Sequence, residues 1–204
     1  YKLLSEYARL YAYGLQKLDV SPGDRVAVLL PNSIELATIL LATINCGLAL
    51  VPLSSASAPP QNEHILQTTS PKVLITNQEL LHRIPAQCLQ QISNIFVNGC
   101  SDTDFAAFSS LIDKTADKDC IVGSKDFGNN IALISFTSGT TGLPKGVAHT
   151  QMKLLDRADT FIRRMVLSQN DRSLLVMPAG RTIGFVCQFL AMLRVGGTVI
   201  LAER

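Results

Sequence analysis

Apolar residues recur at helical spacing through Leu3, Leu4, Tyr7, Ala8, Tyr11, Leu15 and Leu18, and Ser21-Pro22-Gly23-Asp24 then turns the chain. Val26 to Leu30 is a short continuous apolar run of the length of a buried strand, ended by Pro31. Asn32, with Glu35 three residues on, resembles a capping box and predicts a second helix, which Gly47 stops. Leu48 to Leu53 is again a short apolar run. Helix, strand, helix, strand is the order of a parallel sheet with crossover helices, so the pattern predicts an α/β fold, a layered sheet with crossover helices.

A short helix is expected near Gln61 to Thr69 and strands at Val73 to Thr76 and Ile95 to Val97. From Asn98 to Asn130 the chain is polar, and this tract (98–130) reads as surface loop with one short helix. An apolar strand begins at Ile131. Leu174 to Met177, a helical stretch from Ile183 to Leu193, the turn at Gly196-Gly197 and Thr198 to Leu201 repeat the strand, helix, strand order. No fixed-period repeat is present, and the chain reads as one α/β unit cut off at Arg204.

Composition narrows the function classes. Of 204 residues 47% are hydrophobic and 17% charged, the profile of a globular protein with a sizeable core. Eighteen Lys and Arg against sixteen Asp and Glu leave +2, and the basic residues are scattered, so no nucleic-acid partner is expected. Lys153, Arg157, Arg163, Arg164 and Arg172 interleave with Asp156, Asp159 and Asp171 as on a solvated helix face. Cys46, Cys88, Cys100, Cys120 and Cys187 are odd in number and far apart, which argues for neither a zinc site nor a disulfide framework and fits a reducing intracellular compartment. The uncharged stretch Leu36 to Leu53 is long enough for a bilayer span, but Asn45, Gly47 and Pro52 interrupt it. A buried helix followed by a buried strand explains the same residues, and no transmembrane segment is expected.

The chemistry is concentrated where the strand Ile131 to Phe136 runs into Thr137-Ser138-Gly139-Thr140-Thr141-Gly142-Leu143-Pro144-Lys145-Gly146. Gly139 and Gly142 let the backbone turn so that successive N–H groups converge on an anion. Four hydroxyls add donors, and Lys145 adds a positive charge beside the fixed backbone of Pro144. In a Walker A loop the Gly-Lys pair is followed by a hydroxyl for magnesium; here Pro144 precedes Lys145 and Gly146 follows it. The loop is therefore not a standard P-loop, and on composition alone a Gly/Ser/Thr-rich hairpin with a solvated lysine remains open. Asp126-Phe127-Gly128 matches a kinase tripeptide without the accompanying kinase motifs and is read as coincidence. His64, His82 and His149 have no carboxylate, cysteine or serine at a telling spacing and are assigned no chemistry.

The ten-residue string from Thr137 to Gly146 resembles the signature loop of the adenylate-forming (AMP-binding) superfamily, which spans acyl-CoA synthetases, aryl-acid CoA ligases, luciferases and peptide-synthetase adenylation domains. Gly23-Asp24-Arg25-Val26, Leu30-Pro31-Asn32-Ser33 and Gly47 to Pro52 resemble the same family, and Thr140 with Val147-Ala148-His149-Thr150 looks closer to the CoA-ligase branch. The resemblance implies that residues 1–204 are part of an N-terminal AMP-binding domain with its phosphate loop at 137–146 and its C-terminal lobe absent. It also implies an acid–thiol ligase that converts a carboxylic acid, fatty or aryl, into an acyl-adenylate and passes it to coenzyme A. Carried over by position, Thr137, Ser138, Gly139, Thr140, Thr141, Gly142 and Lys145 contact the ATP phosphates, and Lys145 is the catalytic charge. The family's magnesium, ribose and second-lobe lysine motifs have no counterpart here, so the chain alone is expected to be inactive. Where the family has Pro-x-aromatic-His-x-x-Gly, this chain reads Pro178-Ala179-Gly180-Arg181-Thr182-Ile183-Gly184. Arg181 in place of histidine, with Gly184, is expected at the acid substrate, and an exposed loop charge stays open as the other reading of Arg181. Two other readings stay open: a catalytically inactive module that binds nucleotide or a partner, and an amino-acid adenylation domain serving a carrier protein.

Overall fold

The computed structural model describes residues 1–99, 105–112, 127–137, 143–178 and 181–202. Helix α1 (Lys2–Gln16) is followed by strand β1 (Arg25–Leu29), helix α2 (Ile34–Asn45), strand β2 (Ala49–Pro52), helix α3 (Pro59–Thr69) and strand β3 (Val73–Asn77). Two single-turn helices, α4 (Gln78–Leu81) and α5 (Ala86–Leu89), lead to strands β4 (Asn94–Asn98) and β5 (Ala106–Ala107). The hairpin β6 (Ile131–Thr137) and β7 (Lys145–Thr150) feeds helix α6 (Gln151–Met165), and β8 (Arg172–Leu175), α7 (Ala191–Val195) and β9 (Thr198–Leu201) follow.

Among the described residues one sheet runs β5-β4-β3-β1-β2-β6-β7, with every pairing parallel except the β6–β7 hairpin. From β1 the chain steps to β2 on one side and then returns across β1 to β3. With right-handed crossovers that reversal puts α2 and α3 on opposite faces. The core divides accordingly. Val26, Val28, Leu50 and Ile75 pack toward α1, α2 and α6, whereas Ala27, Leu29, Val51 and Leu74 pack toward Ile65 and Leu66 of α3. Because side chains alternate along a strand, a strand apolar at every position is one buried on both faces, which is what the unbroken run in β1 encodes.

The stretch Leu36 to Leu53 is a buried helix and strand, and no described helix is long and apolar enough to cross a membrane. Several expectations need correction. The N-cap of α2 is Ser33, whose hydroxyl accepts from the Leu36 backbone N–H at 3.1 Å. Asn32 instead turns inward, and its two amide N–H bonds are shared among the carbonyls of Leu175, Met177 and Ala202 at 3.2, 3.0 and 3.3 Å. The polar tract is not all surface, since Phe108 and Leu111 are buried and the Phe108 ring stacks on Tyr11 at 4.6 Å. A side chain at Gly14 would collide with the Leu111 carbonyl, so the missing Cβ lets this segment lie against α1. The single α/β unit contains a second sheet, the parallel pair β8–β9. Its first strand begins at Arg172 and ends at Leu175, ahead of the expected Leu174 to Met177, and the expected helix after it is wound as π-helix over Gly184–Leu190 before α7.

Candidate phosphate and acid site

The strand β6 ends at Thr137 and β7 begins at Lys145, and the two residues face each other across the hairpin. The Thr137 hydroxyl points at the Lys145 carbonyl, 3.5 Å away, and both residues are exposed. Ser138, Gly139, Thr140, Thr141 and Gly142 lie outside the described residues; the limbs that carry them do not. The C-terminal limb is tethered, because Nε2 of His64 on α3 lies 3.1 Å from the Pro144 carbonyl oxygen.

Beneath the loop, Ser135 Oγ sits 3.1 Å from Nε2 of His149 on the paired strand. His149 is buried, and that burial, together with the cationic neighbours Arg157 and Lys153, holds its imidazole below the ordinary value of 6.5. A neutral imidazole keeps one ring nitrogen as an acceptor, so it can orient the serine hydroxyl. The spacing of these two residues in sequence carried no such signal. Only the hairpin register, which shifts between Ile131 and Leu133, brings them together.

The limbs border a cavity of 410 Å³ at the C-terminal ends of β2 and β6. That is where open α/β sheets accept ligands, in the crevice outside the carboxyl ends of their strands. Its lining brings together Ser54 and Ser57 after β2, Gln61 of α3, Ser135 and Thr137 of β6, and Arg181 with Thr182. The loop after β2 is held by Asn62, whose side-chain N–H donates to the Ser54 carbonyl at 3.2 Å. Arg181 is placed by backbone bonds on either side: its N–H donates to the Pro178 carbonyl at 2.9 Å, and its carbonyl accepts from the Phe185 N–H at 2.8 Å. Gly184 does not line the cavity; it is buried behind it, where an added Cβ would stand 2.7 Å from the Pro178 carbonyl oxygen. Lys145 is also outside the lining, one residue beyond Pro144, which does border it.

Among the described residues no group of three or more His, Cys, Asp or Glu gathers to hold a metal. The described donors and positive charges, the Thr137 hydroxyl, Lys145 and Arg181, have the chemistry of an anion site. Cys46 is packing: its thiol points at the Ala12 carbonyl and burial pushes it up to about 12, which keeps it protonated.

Known proteins resemble this chain in sequence and in fold. The chain is 31% identical to the oxalate–CoA ligase of Arabidopsis thaliana over 89% of its own length and 35% of the relative's. It is 27% identical to a linear gramicidin synthase polypeptide of Brevibacillus parabrevis over 100% of this chain and 2% of that one. The fold superposes on the anthranilate CoA ligase AuaEII, solved in complex with anthranoyl-AMP, with a TM-score of 0.89 at 24% identity, covering 98% of this chain and 39% of that one. The chain thus spans about a third of the length of the CoA ligases it matches. The model of the AMP-binding enzyme family matches residues 1–204, and the chain belongs to that family.

Proposed function

We propose that the complete protein activates a carboxylic acid with ATP and transfers the acyl group to coenzyme A. A carboxylate oxygen attacks the α-phosphorus, the bond to the bridging oxygen of pyrophosphate breaks, and an acyl-adenylate remains. The coenzyme A thiol then attacks the acyl carbon, AMP leaves, and the thiol proton passes to solvent. Thr137, Ser138, Gly139, Thr140, Thr141 and Gly142 contact the phosphates with backbone N–H groups and hydroxyls. Lys145 is the catalytic residue and offsets the negative charge that builds on the departing pyrophosphate. Such chemistry is mainly positioning and charge stabilisation. Magnesium, when bound with ATP, neutralises phosphate charge; no described residue of this chain is assigned to it.

The observation that carries the reading is the hairpin mouth: Thr137, which pairs with Lys145, lines a cavity whose lining also includes Arg181. Gly184 serves the site indirectly, since only a residue without a side chain lets the turn before the π-helix close on Pro178 and so present Arg181. A second reading, an amino-acid adenylation domain that hands its product to a carrier protein, is supported by the gramicidin synthase relative, which matches along the whole chain. One assay separates them. The complete protein is incubated with ATP, magnesium and a panel of carboxylic and amino acids, and pyrophosphate release is followed with and without coenzyme A. Acid-dependent release with formation of an acyl-CoA is expected. Release only with amino acids, and no thioester on coenzyme A, would favour the carrier-protein reading, and ATP binding without release would mark an inactive binding module.

A further inference from the structure

Among the described residues that line the 410 Å³ cavity, Arg181 alone is charged. No Asp or Glu is among them, and the guanidinium makes no ion pair with any described residue. Ser54, Ser57, Ser135, Thr137 and Thr182 contribute hydroxyl-bearing residues to the same lining. Thr137 and Pro144, at the two limbs of the phosphate loop, border the same space. Arg181 is exposed, so water solvates its charge when the cavity holds no ligand; an anionic ligand can take the place of that water, and the planar fork of arginine matches a carboxylate in two parallel hydrogen bonds. The backbone bonds to Pro178 and Phe185 fix the Arg181 backbone beside the cavity, whose lining also includes Thr137 and Pro144.

We infer that the acid substrate carries a second carboxylate, bound by Arg181, while its reacting carboxylate faces the phosphate loop. This rests on the adenylation reading and names the substrate class of that site. A cavity of 410 Å³ lies near the lower end of the range for small-molecule sites, which fits a short dicarboxylic acid.

The test compares glutarate with pentanoate, which share a five-carbon chain and differ by one carboxylate, in the complete protein. Acid-dependent pyrophosphate exchange should show a kcat/KM for glutarate at least tenfold above that for pentanoate. Arg181→Gln should lower the glutarate value tenfold or more, chiefly through KM, with pentanoate falling less than threefold; Arg181→Lys should recover part of the glutarate value. Equal losses for both acids would place Arg181 on the ATP phosphates instead, and no change for either would make it a surface charge; both outcomes overturn the inference. If the wild type exchanges pyrophosphate with no acid at all, the adenylation reading itself fails. Calorimetric titration with glutarate then decides the arginine separately: glutarate heat abolished by Arg181→Gln supports it, and heat that persists or never appears overturns it.

Discussion

Ser135 Oγ and His149 Nε2 lie 3.1 Å apart, joining the two strands of the β6–β7 hairpin. The contact couples the hairpin to pH. Because burial and the nearby cations lower the pKa of His149 in the folded state, the unfolded chain binds a proton that the folded chain refuses in the window just below 6.5. The stability contributed is therefore present above that window and is lost as pH falls through it. Urea midpoints of the complete protein at pH 7.5 and 5.5 should show a drop that is clearly smaller in His149→Gln. An equal drop in the variant would remove His149 as the titrating group.

Asn32 bridges the two sheets, its amide placed beyond the end of β1 and directed at carbonyls after β8 and after β9. Replacement by alanine removes these bonds from the Leu175 carbonyl, which keeps the Ala202 N–H, and from the half-buried contacts at Met177 and Ala202, so Asn32→Ala should cost about 0.5–1.5 kcal/mol for each bond lost. Ser33→Ala removes only the cap of α2, at a cost of roughly 0.5–2 kcal/mol. Denaturant titration of both variants checks the order, with Asn32→Ala expected to be the less stable.

Gly184 is a packing requirement. A Cβ there would meet the Pro178 carbonyl oxygen at 2.7 Å and the Met177 Cβ at 3.3 Å, both on the segment that leads to Arg181. Gly184→Val should destabilise the protein by roughly 1–3 kcal/mol through overpacking and weaken use of the acid substrate at the same time. Paired thermal melts and acid-dependent exchange read the two effects; a variant normal in both would show that the segment moves aside freely.

Much of this was legible in the residues. The unbroken apolar runs of β1 and β2 announced strands covered on both faces, and the helical spacing from Leu3 to Leu18 placed α1 within two residues of its ends. Asn32 and Ser33 are both good caps, so composition did not tell the cap from the buried bridge, and only the position of the second sheet decides it. Phe108 and Leu111 sit in a tract too polar to show periodicity, and their burial depends on the long-range approach to Gly14 and Tyr11. The winding of Gly184–Leu190 as π-helix leaves no mark in the apolar pattern, which reads equally well as α-helix. At the candidate site, the Gly/Ser/Thr-rich string ending in Lys145-Gly146 stood out because its residues are contiguous. Its supports were not, since His64, Ser135 and His149 acquire roles only once α3 and the hairpin bring them to Pro144 and to each other.

Whether the hairpin carrying Lys145 holds reacting phosphates is read most directly by isotope exchange between ATP and pyrophosphate in the complete protein. Lys145 is exposed at the hairpin mouth, so its replacement by alanine should leave the melting temperature close to that of the wild type. Removing even ~1.4 kcal/mol of transition-state stabilisation slows exchange tenfold, and a loss of that size or more is predicted for Lys145→Ala in the presence of the preferred acid. Exchange at the wild-type rate in a folded Lys145→Ala protein would contradict the account.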